Sequence, residues 1–101
     1  MLIESNEVQE KLVVTLFEKR LDAKIAVDFK QRMTDFISEG DKPIVLNLHE
    51  TEFIDSSGLG AIVSSLKAAG ASRQFSICGL QEPVKTMFKL TRMDKVFSIF
   101  P

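Results

Sequence analysis

Ser56 and Ser57 have the clearest potential for chemistry in this sequence, because they lie in a polar cluster between two apolar segments. A serine hydroxyl acts as a nucleophile only when a nearby base accepts its proton. The chain contains one histidine, His49, and lacks the Gly-x-Ser-x-Gly motif found at many hydrolase nucleophiles. We therefore expect no catalytic residues and no enzyme activity, and we interpret His49 as a surface residue at a strand end.

Metal and cofactor sites find equally little support. A zinc site normally needs three or four protein ligands, mostly Cys and His, but Cys78 and His49 are each the single residue of their type. The sequence also lacks the Gly-x-x-x-x-Gly-Lys-Ser/Thr loop that binds nucleotide phosphates. We expect no metal and no cofactor, and we interpret Cys78 as a small core residue of an apolar strand.

Composition narrows the class of protein further. The length of 101 residues suits a single domain over 1–101, and 45% hydrophobic with 27% charged residues is typical of a soluble globular protein. The net charge of −1 gives no basic field for binding nucleic acid. No apolar run approaches the ~20 residues of a membrane helix, and the N-terminus does not resemble a signal peptide. A single Cys excludes an internal disulfide, so we expect a cytoplasmic protein.

The elements around the serines predict a strand followed by a helix. The apolar run Ile44–Leu48 is nearly continuous, as expected of a central strand buried on both faces. After Asp55–Ser57, apolar residues recur with helical spacing at Leu59, Ile62, Val63 and Leu66. The side-chain oxygens of Asp55–Ser57 can cap the first helical turn. Gly58 and Gly60 lower helix propensity but let another surface approach the start of the helix.

The first half of the chain predicts a hairpin and a helix. The strands are Leu2–Ser5 and the clearer Leu12–Phe17, with the turn near Asn6-Glu7. A charged loop, Glu18–Asp22, follows. The helix spans Ala23–Ser38, with Asp22 as its cap and Gly40 as a left-handed C-terminal cap.

The second half alternates helices and strands. The helix after Ser56 ends at Gly70, a strand follows over Gln74–Cys78, and Pro83 lies in the first turn of another helix. Val96–Phe100 forms a last strand or an apolar tail. The order ββαβαβαβ predicts an α/β fold with a mixed sheet and helices packed on it.

The segment Phe53-Ile54-Asp55-Ser56-Ser57-Gly58-Leu59-Gly60 resembles the signature of the STAS domain, specifically that of the stand-alone bacterial anti-anti-sigma factors, or anti-sigma factor antagonists. The resemblance implies a STAS-type fold over the whole chain and places the regulatory phosphoserine of that family at Ser56. It also implies a partner-binding surface, which would comprise Asp22, Asp55, Ser57, Gly58, Leu59 and Gly60.

The same resemblance implies the partners. The unphosphorylated protein, a monomer when free, would bind an anti-sigma factor that is also a serine kinase with a histidine-kinase-like ATPase fold. Phosphorylation at Ser56 would release that partner, and a PP2C-type phosphatase would reverse the modification. ATP and metal ions would belong to these partners. The alternative is a STAS scaffold, or a module that binds a lipid or nucleotide, without phosphorylation.

Two points stay open at this stage. The family carries a Gly-Glu-Leu-Asp type pattern where this chain has Lys19-Arg20-Leu21-Asp22, so Leu21 and Asp22 match and the two preceding residues do not. The two positive charges could favour a phosphorylated Ser56, or they could belong to a solvated loop. Leu59 could be an exposed anchor for the partner or the first core residue of its helix.

Overall fold

The computed structural model describes residues 1–71 and 73–101. The strands and helices that follow are numbered in chain order. The strands are β1 Ile3–Val8, β2 Lys11–Leu16, β3 Arg20–Leu21, β4 Ile44–Asn47, β5 Phe53–Ile54, β6 Phe75–Cys78 and β7 Ser98–Phe100. The helices are α1 Ala26–Ser38, α2 Ser56–Ala69 and α3 Glu82–Leu90, and a short 3₁₀ turn spans Met93–Lys95.

Five of the strands form one sheet in the order β1-β2-β4-β6-β7. The β1–β2 pair is antiparallel, and the pairs β2–β4, β4–β6 and β6–β7 are parallel. The parallel pairs arise because each of these strands is joined to the next by a helix. The predicted α/β architecture with a mixed sheet is therefore confirmed.

The helices lie on one face of this sheet. Each crossover steps to the next strand in the same direction, so right-handed connections place α1, α2 and α3 on the same side. Burial agrees with this arrangement, because Ile44 and Leu46 are fully buried while the alternate residues Val45 and Asn47 are partly exposed. The expectation that β4 is buried on both faces was therefore wrong.

The hairpin turn also differs from the prediction. The strands β1 and β2 pair from Ile3↔Leu16 to Val8↔Lys11, so the turn consists of Gln9 and Glu10. Both turn residues adopt left-handed backbone angles, with φ of 50° and 66°. The predicted turn at Asn6-Glu7 was wrong because β1 is an edge strand whose side chains are exposed after Ile3, which hides the usual apolar alternation.

Helix α1 begins three residues later than predicted and ends without a left-handed glycine. Positive φ among the glycines occurs at Gly70 and Gly79, so Gly40 does not have the predicted role. The carbonyls beyond the helix are instead bonded by Arg73, which is 6% exposed and donates to Gly40 O and Lys42 O, each over 2.7 Å. Further bonds reach the carbonyls of Phe36 and Ile37. A long-range side-chain cap of this kind has no local sequence signal.

The second half of the chain follows the prediction closely. Helix α2 ends at Gly70, where φ is 66°, and Pro83 lies in the first turn of α3. Val84 and Phe88 of α3 are buried and lie four residues apart, on one face of the helix. The last strand, β7, pairs with β6 and completes the sheet.

Candidate functional site

A two-stranded ladder, separate from the main sheet, carries the candidate site. Strand β3 pairs with β5 in parallel, with Arg20 opposite Phe53 and Leu21 opposite Ile54. The predicted loop Glu18–Asp22 therefore contains a strand, which is too short to produce a sequence pattern. Its effect is to bring Arg20 and Asp22 next to the segment that starts α2.

Asp55 organises the start of α2, as predicted for a cap. Its Oδ1 accepts a hydrogen bond from the backbone N–H of Gly58 over 2.9 Å, which satisfies one of the free donors of the first helical turn. Its Oδ2 accepts a second bond from the backbone N–H of Ala23 over 3.1 Å. One carboxylate thus joins the start of α2 to the turn that precedes α1.

These bonds favour the ionised form of the Asp55 carboxylate. The hydrogen bond from Gly58 N–H is the largest influence on Asp55 and lowers its pKa below the usual 3.8; burial opposes this effect. The N–H groups of Ala23 and Ser57 and the positive charge of Arg20 also lower this pKa. Asp55 is therefore negatively charged at neutral pH.

Asp22 holds the turn before α1 rather than the helix itself. Its Oδ1 accepts from the backbone N–H of Lys24 over 3.1 Å, and its backbone carbonyl accepts from Ile25 and Ala26. The residue at the N-terminal cap position of α1 is Ile25, whose side chain cannot accept a bond. Asp22 therefore stabilises the turn that precedes α1, because the helix begins later than predicted. Its carboxylate remains close to Arg20.

Ser56 and Ser57 are the first two residues of α2, and both are exposed. Their hydroxyls are accessible at a helix start whose backbone N–H groups favour an anion. His49 is exposed at a strand end as predicted, where it contacts Glu50 and the Phe17 ring. The arrangement can therefore present a serine hydroxyl to another protein.

The two glycines of the motif have different environments. A Cβ on Gly58 would lie 2.1 Å from the carbonyl oxygen of Leu21. A Cβ on Gly60, by contrast, would have no atom within 4 Å among the described residues, apart from its chain neighbours and the backbone of its own helix. The surface that approaches Gly58 is therefore strand β3 of the same chain. Of the two glycines expected to let another surface approach, Gly60 is the one open to a partner, because a side chain at position 58 would displace β3.

Leu59 is 9% exposed and belongs to the hydrophobic core. The spacing of the apolar residues in α2 already allowed this possibility. Leu59 and Ile62 are both buried residues on the same face of α2. Leu59 thus packs the start of α2 against the hydrophobic core and does not contribute to the exposed surface.

Arg20 and Phe53 form a contact that the sequence analysis missed. The guanidinium carbon of Arg20 lies 4.2 Å from the centre of the Phe53 ring, and Arg20 Nε lies 3.3 Å from Asp22 Oδ2. Phe53 is 41% exposed, so the pair lies at the surface beside Asp55. The charged pattern Lys19-Arg20 was noticed in the sequence, but the pairing with β5 that orients Arg20 has no signal there.

Other ligand chemistry is sparse in the parts of the chain that the structure covers. Among residues 1–71 and 73–101, no group of three or more His, Cys, Asp or Glu side chains could hold a metal ion. None of the helices described is both long and apolar enough to cross a bilayer. A cavity of about 400 Å³ lies at the opposite edge of the sheet, where Glu7, Lys42 and Arg73 contribute to its lining.

Comparisons with known proteins agree with the geometry. The sequence profile of the STAS domain matches residues 3–101. A provisionally named anti-sigma factor antagonist of Thermotoga maritima is 31% identical over 96 residues, which cover 93% of this chain and 85% of the relative.

Two solved structures share the fold. An anti-sigma factor antagonist from Mycobacterium paratuberculosis superposes with a TM-score of 0.88 at 21% identity, covering 99% of this chain and 85% of that one. The phosphorylated form of the Bacillus cell-fate determinant SpoIIAA superposes with a TM-score of 0.69 at 17% identity, covering 99% of this chain and 92% of that one. At these identities the likeness is one of fold.

Proposed function

Because this chain belongs to the STAS domain family and is similar to anti-sigma factor antagonists, we propose that it binds an anti-sigma factor and that phosphorylation of Ser56 controls this binding. The observation that carries the proposal is the exposed Ser56 on a helix start held by Asp55. An accessible hydroxyl at a capped helix start suits a regulatory modification. The role is regulatory rather than catalytic.

The proposed contact surface consists of the exposed parts of the motif. Ser56, Ser57 and Gly60 lie at the surface of α2, and Asp22 lies beside them at the end of β3. Gly58 and Leu59 contribute indirectly, because they pack the helix against β3 and the core. A partner that docks here must come close to the bare backbone at Gly60.

Phosphorylation would act on the surface rather than on the fold. A phosphate adds about −1.5 to −2 charges at neutral pH. It would lie at the N-terminus of α2, where backbone N–H groups favour an anion, although Asp55 nearby repels it. We therefore expect the domain to stay folded and the partner to be excluded by bulk and like charge.

The proposal includes two enzymes as partners. A serine kinase with a histidine-kinase-like ATPase fold, which is also the anti-sigma factor, would add the phosphate. A PP2C-type phosphatase would remove it. Residues 1–101 would act as one domain, monomeric when free, in the cytoplasm.

A labelling and binding experiment tests this function. The wild-type protein and the variants Ser56→Ala and Ser57→Ala are incubated with the cognate anti-sigma factor and ATP, and intact mass and affinity are measured. We expect Ser57→Ala to gain one phosphate and lose affinity, as the wild type does. Ser56→Ala should remain unlabelled and bound.

Two results would contradict the proposal. If only the Ser57→Ala variant failed to gain a phosphate, the modified residue would be Ser57 and not Ser56. Equal affinity of the phosphorylated and unphosphorylated wild type would favour a STAS scaffold that works without phosphorylation.

A further inference from the structure

Arg20 is held in place at the edge of the site. Its guanidinium lies 4.2 Å from the centre of the Phe53 ring and its Nε lies 3.3 Å from Asp22 Oδ2. Stacking on an aromatic face and pairing with a carboxylate are both typical of a guanidinium. The side chain is nevertheless 62% exposed, so its donors are accessible from the surface.

The ladder between β3 and β5 places Arg20 on the same side as the helix start. Arg20 is opposite Phe53 and lies over its ring, so these two side chains share one face of the ladder. Asp22 and Asp55 directly follow the two strands, and Arg20 Nε contacts Asp22 Oδ2. Ser56 follows Asp55 directly. The positive charge of Arg20 also contributes to the lowered pKa of Asp55, which agrees with this closeness.

Lys19 provides a contrast, although it is adjacent in the sequence. Its backbone carbonyl accepts bonds from the N–H groups of Glu52 and Phe53, and Lys19 precedes β3, so its exposed side chain is not oriented by the ladder. Within the described residues, Lys19 takes part in none of the ion pairs. The two positive charges noticed in the sequence are therefore not equivalent.

A phosphate on Ser56 would have two carboxylates nearby, Asp22 and Asp55. A nearby negative charge raises the pKa of an acidic group, and a nearby positive charge lowers it. Arginine pairs with phosphate through two parallel hydrogen bonds, which are stronger than bonds between neutral groups. Arg20 contacts Asp22 and lowers the pKa of Asp55, so its positive charge lies where it can offset the repulsion.

We propose that Arg20 is an internal receptor for the phosphate of phosphorylated Ser56. The guanidinium exchanges Asp22 for the phosphate oxygens while it remains stacked on Phe53. This contact favours the modified state of the protein. The inference depends on the proposed phosphorylation at Ser56 and specifies how this chain retains the phosphate.

The test uses phosphoserine installed at position 56 during synthesis, so that no kinase is needed. The second pKa of the phosphate is measured by ³¹P NMR at low salt, since screening weakens an exposed pair. The variants are Arg20→Gln and, as a matched loss of one positive charge, Lys19→Gln. Circular dichroism verifies that both variants remain folded.

We expect Arg20→Gln to raise the second phosphate pKa by about half a unit, the size of effect given by an exposed ion pair. Lys19→Gln should change it by a clearly smaller amount. The Arg20 Nε–H signal of the wild type should titrate with the same midpoint as the phosphate.

Equal shifts in the two variants, or no shift in either, would overturn the inference. Because the phosphate is installed chemically, this outcome is independent of whether a kinase modifies Ser56. Failure of the kinase to label Ser56 would count against the proposed function instead.

Discussion

Asp55 Oδ2 accepts a hydrogen bond from the backbone N–H of Ala23 over 3.1 Å, across 32 positions in the sequence. The other oxygen of the same carboxylate bonds Gly58 N–H at the start of α2. A single side chain therefore sets the distance between the turn before α1 and the first turn of α2. The surface around Ser56 depends on this one acid being ionised.

Replacing Asp55 by Asn should reduce the pH dependence of stability in the acid range. The folded-state pKa of Asp55 is lowered from 3.8, chiefly by the bond from Gly58 N–H, so the ionised form stabilises the fold. That contribution is present above the unfolded-state pKa and is lost as the pH falls through the folded-state pKa. Thermal unfolding of the wild type and Asp55→Asn between pH 2 and pH 7 measures the difference. Parallel curves for the two proteins would mean that Asp55 does not have this role.

Alanine substitutions at the two motif glycines should have opposite effects. In Gly58→Ala the new Cβ would lie 2.1 Å from Leu21 O, so the backbone must move. We expect the free energy of unfolding to fall by about 2–3 kcal/mol. In Gly60→Ala the methyl group enters open space, and the higher helix propensity should add about 0.5–1 kcal/mol. Urea unfolding of both variants measures the contrast. Similar values for both would refute the packing of Gly58 against β3.

An arginine at Gly60 should weaken partner binding without unfolding the protein. The side chain has room in the free protein but would occupy the space that a docked partner needs. We expect affinity for the anti-sigma factor to fall by at least about tenfold, which corresponds to about 1.4 kcal/mol. Ala68→Arg is the matched control, since residue 68 is exposed near the other end of α2. Unchanged affinity in Gly60→Arg would remove the start of α2 from the interface.

The hairpin turn offers a stabilising substitution. Glu10 has a φ of 66°, a conformation that costs an ordinary residue about 1–2 kcal/mol and glycine almost nothing. After allowing for the greater freedom of glycine in the unfolded chain, we expect Glu10→Gly to gain about 0.5–1 kcal/mol. The control is Glu4→Gly in strand β1, which should lose stability. A destabilised Glu10→Gly protein would show that this turn is not left-handed.

The sequence predicted the elements whose signal is local. The helical spacing from Leu59 to Leu66, the stop at Gly70 and the cap by Asp55 need only neighbouring residues, and the structure has all three. The features that the sequence did not predict depend on contacts between residues that are far apart in the chain. Arg73 bonds the carbonyls beyond α1 from more than thirty positions away, and the two-residue pairing of Arg20 with Phe53 leaves no periodic pattern. The STAS-like motif indicated the candidate serine but not the cation beside it.

The β3–β5 ladder has a consequence for motion at the site. Backbone bonds to Lys19 O and Leu21 O help to hold this two-residue ladder, and it is not part of the five-stranded sheet. Leu21 and Ile54 anchor the ladder in the core, but its short length and the exposed side of Arg20 and Phe53 allow it to open locally at a lower free energy than the whole fold. Amide deuterium uptake at Phe53 and Asp55 should therefore exceed that at Leu46 and Ile77 in the central strands. The platform for Ser56 can thus loosen and close again while the central sheet stays intact.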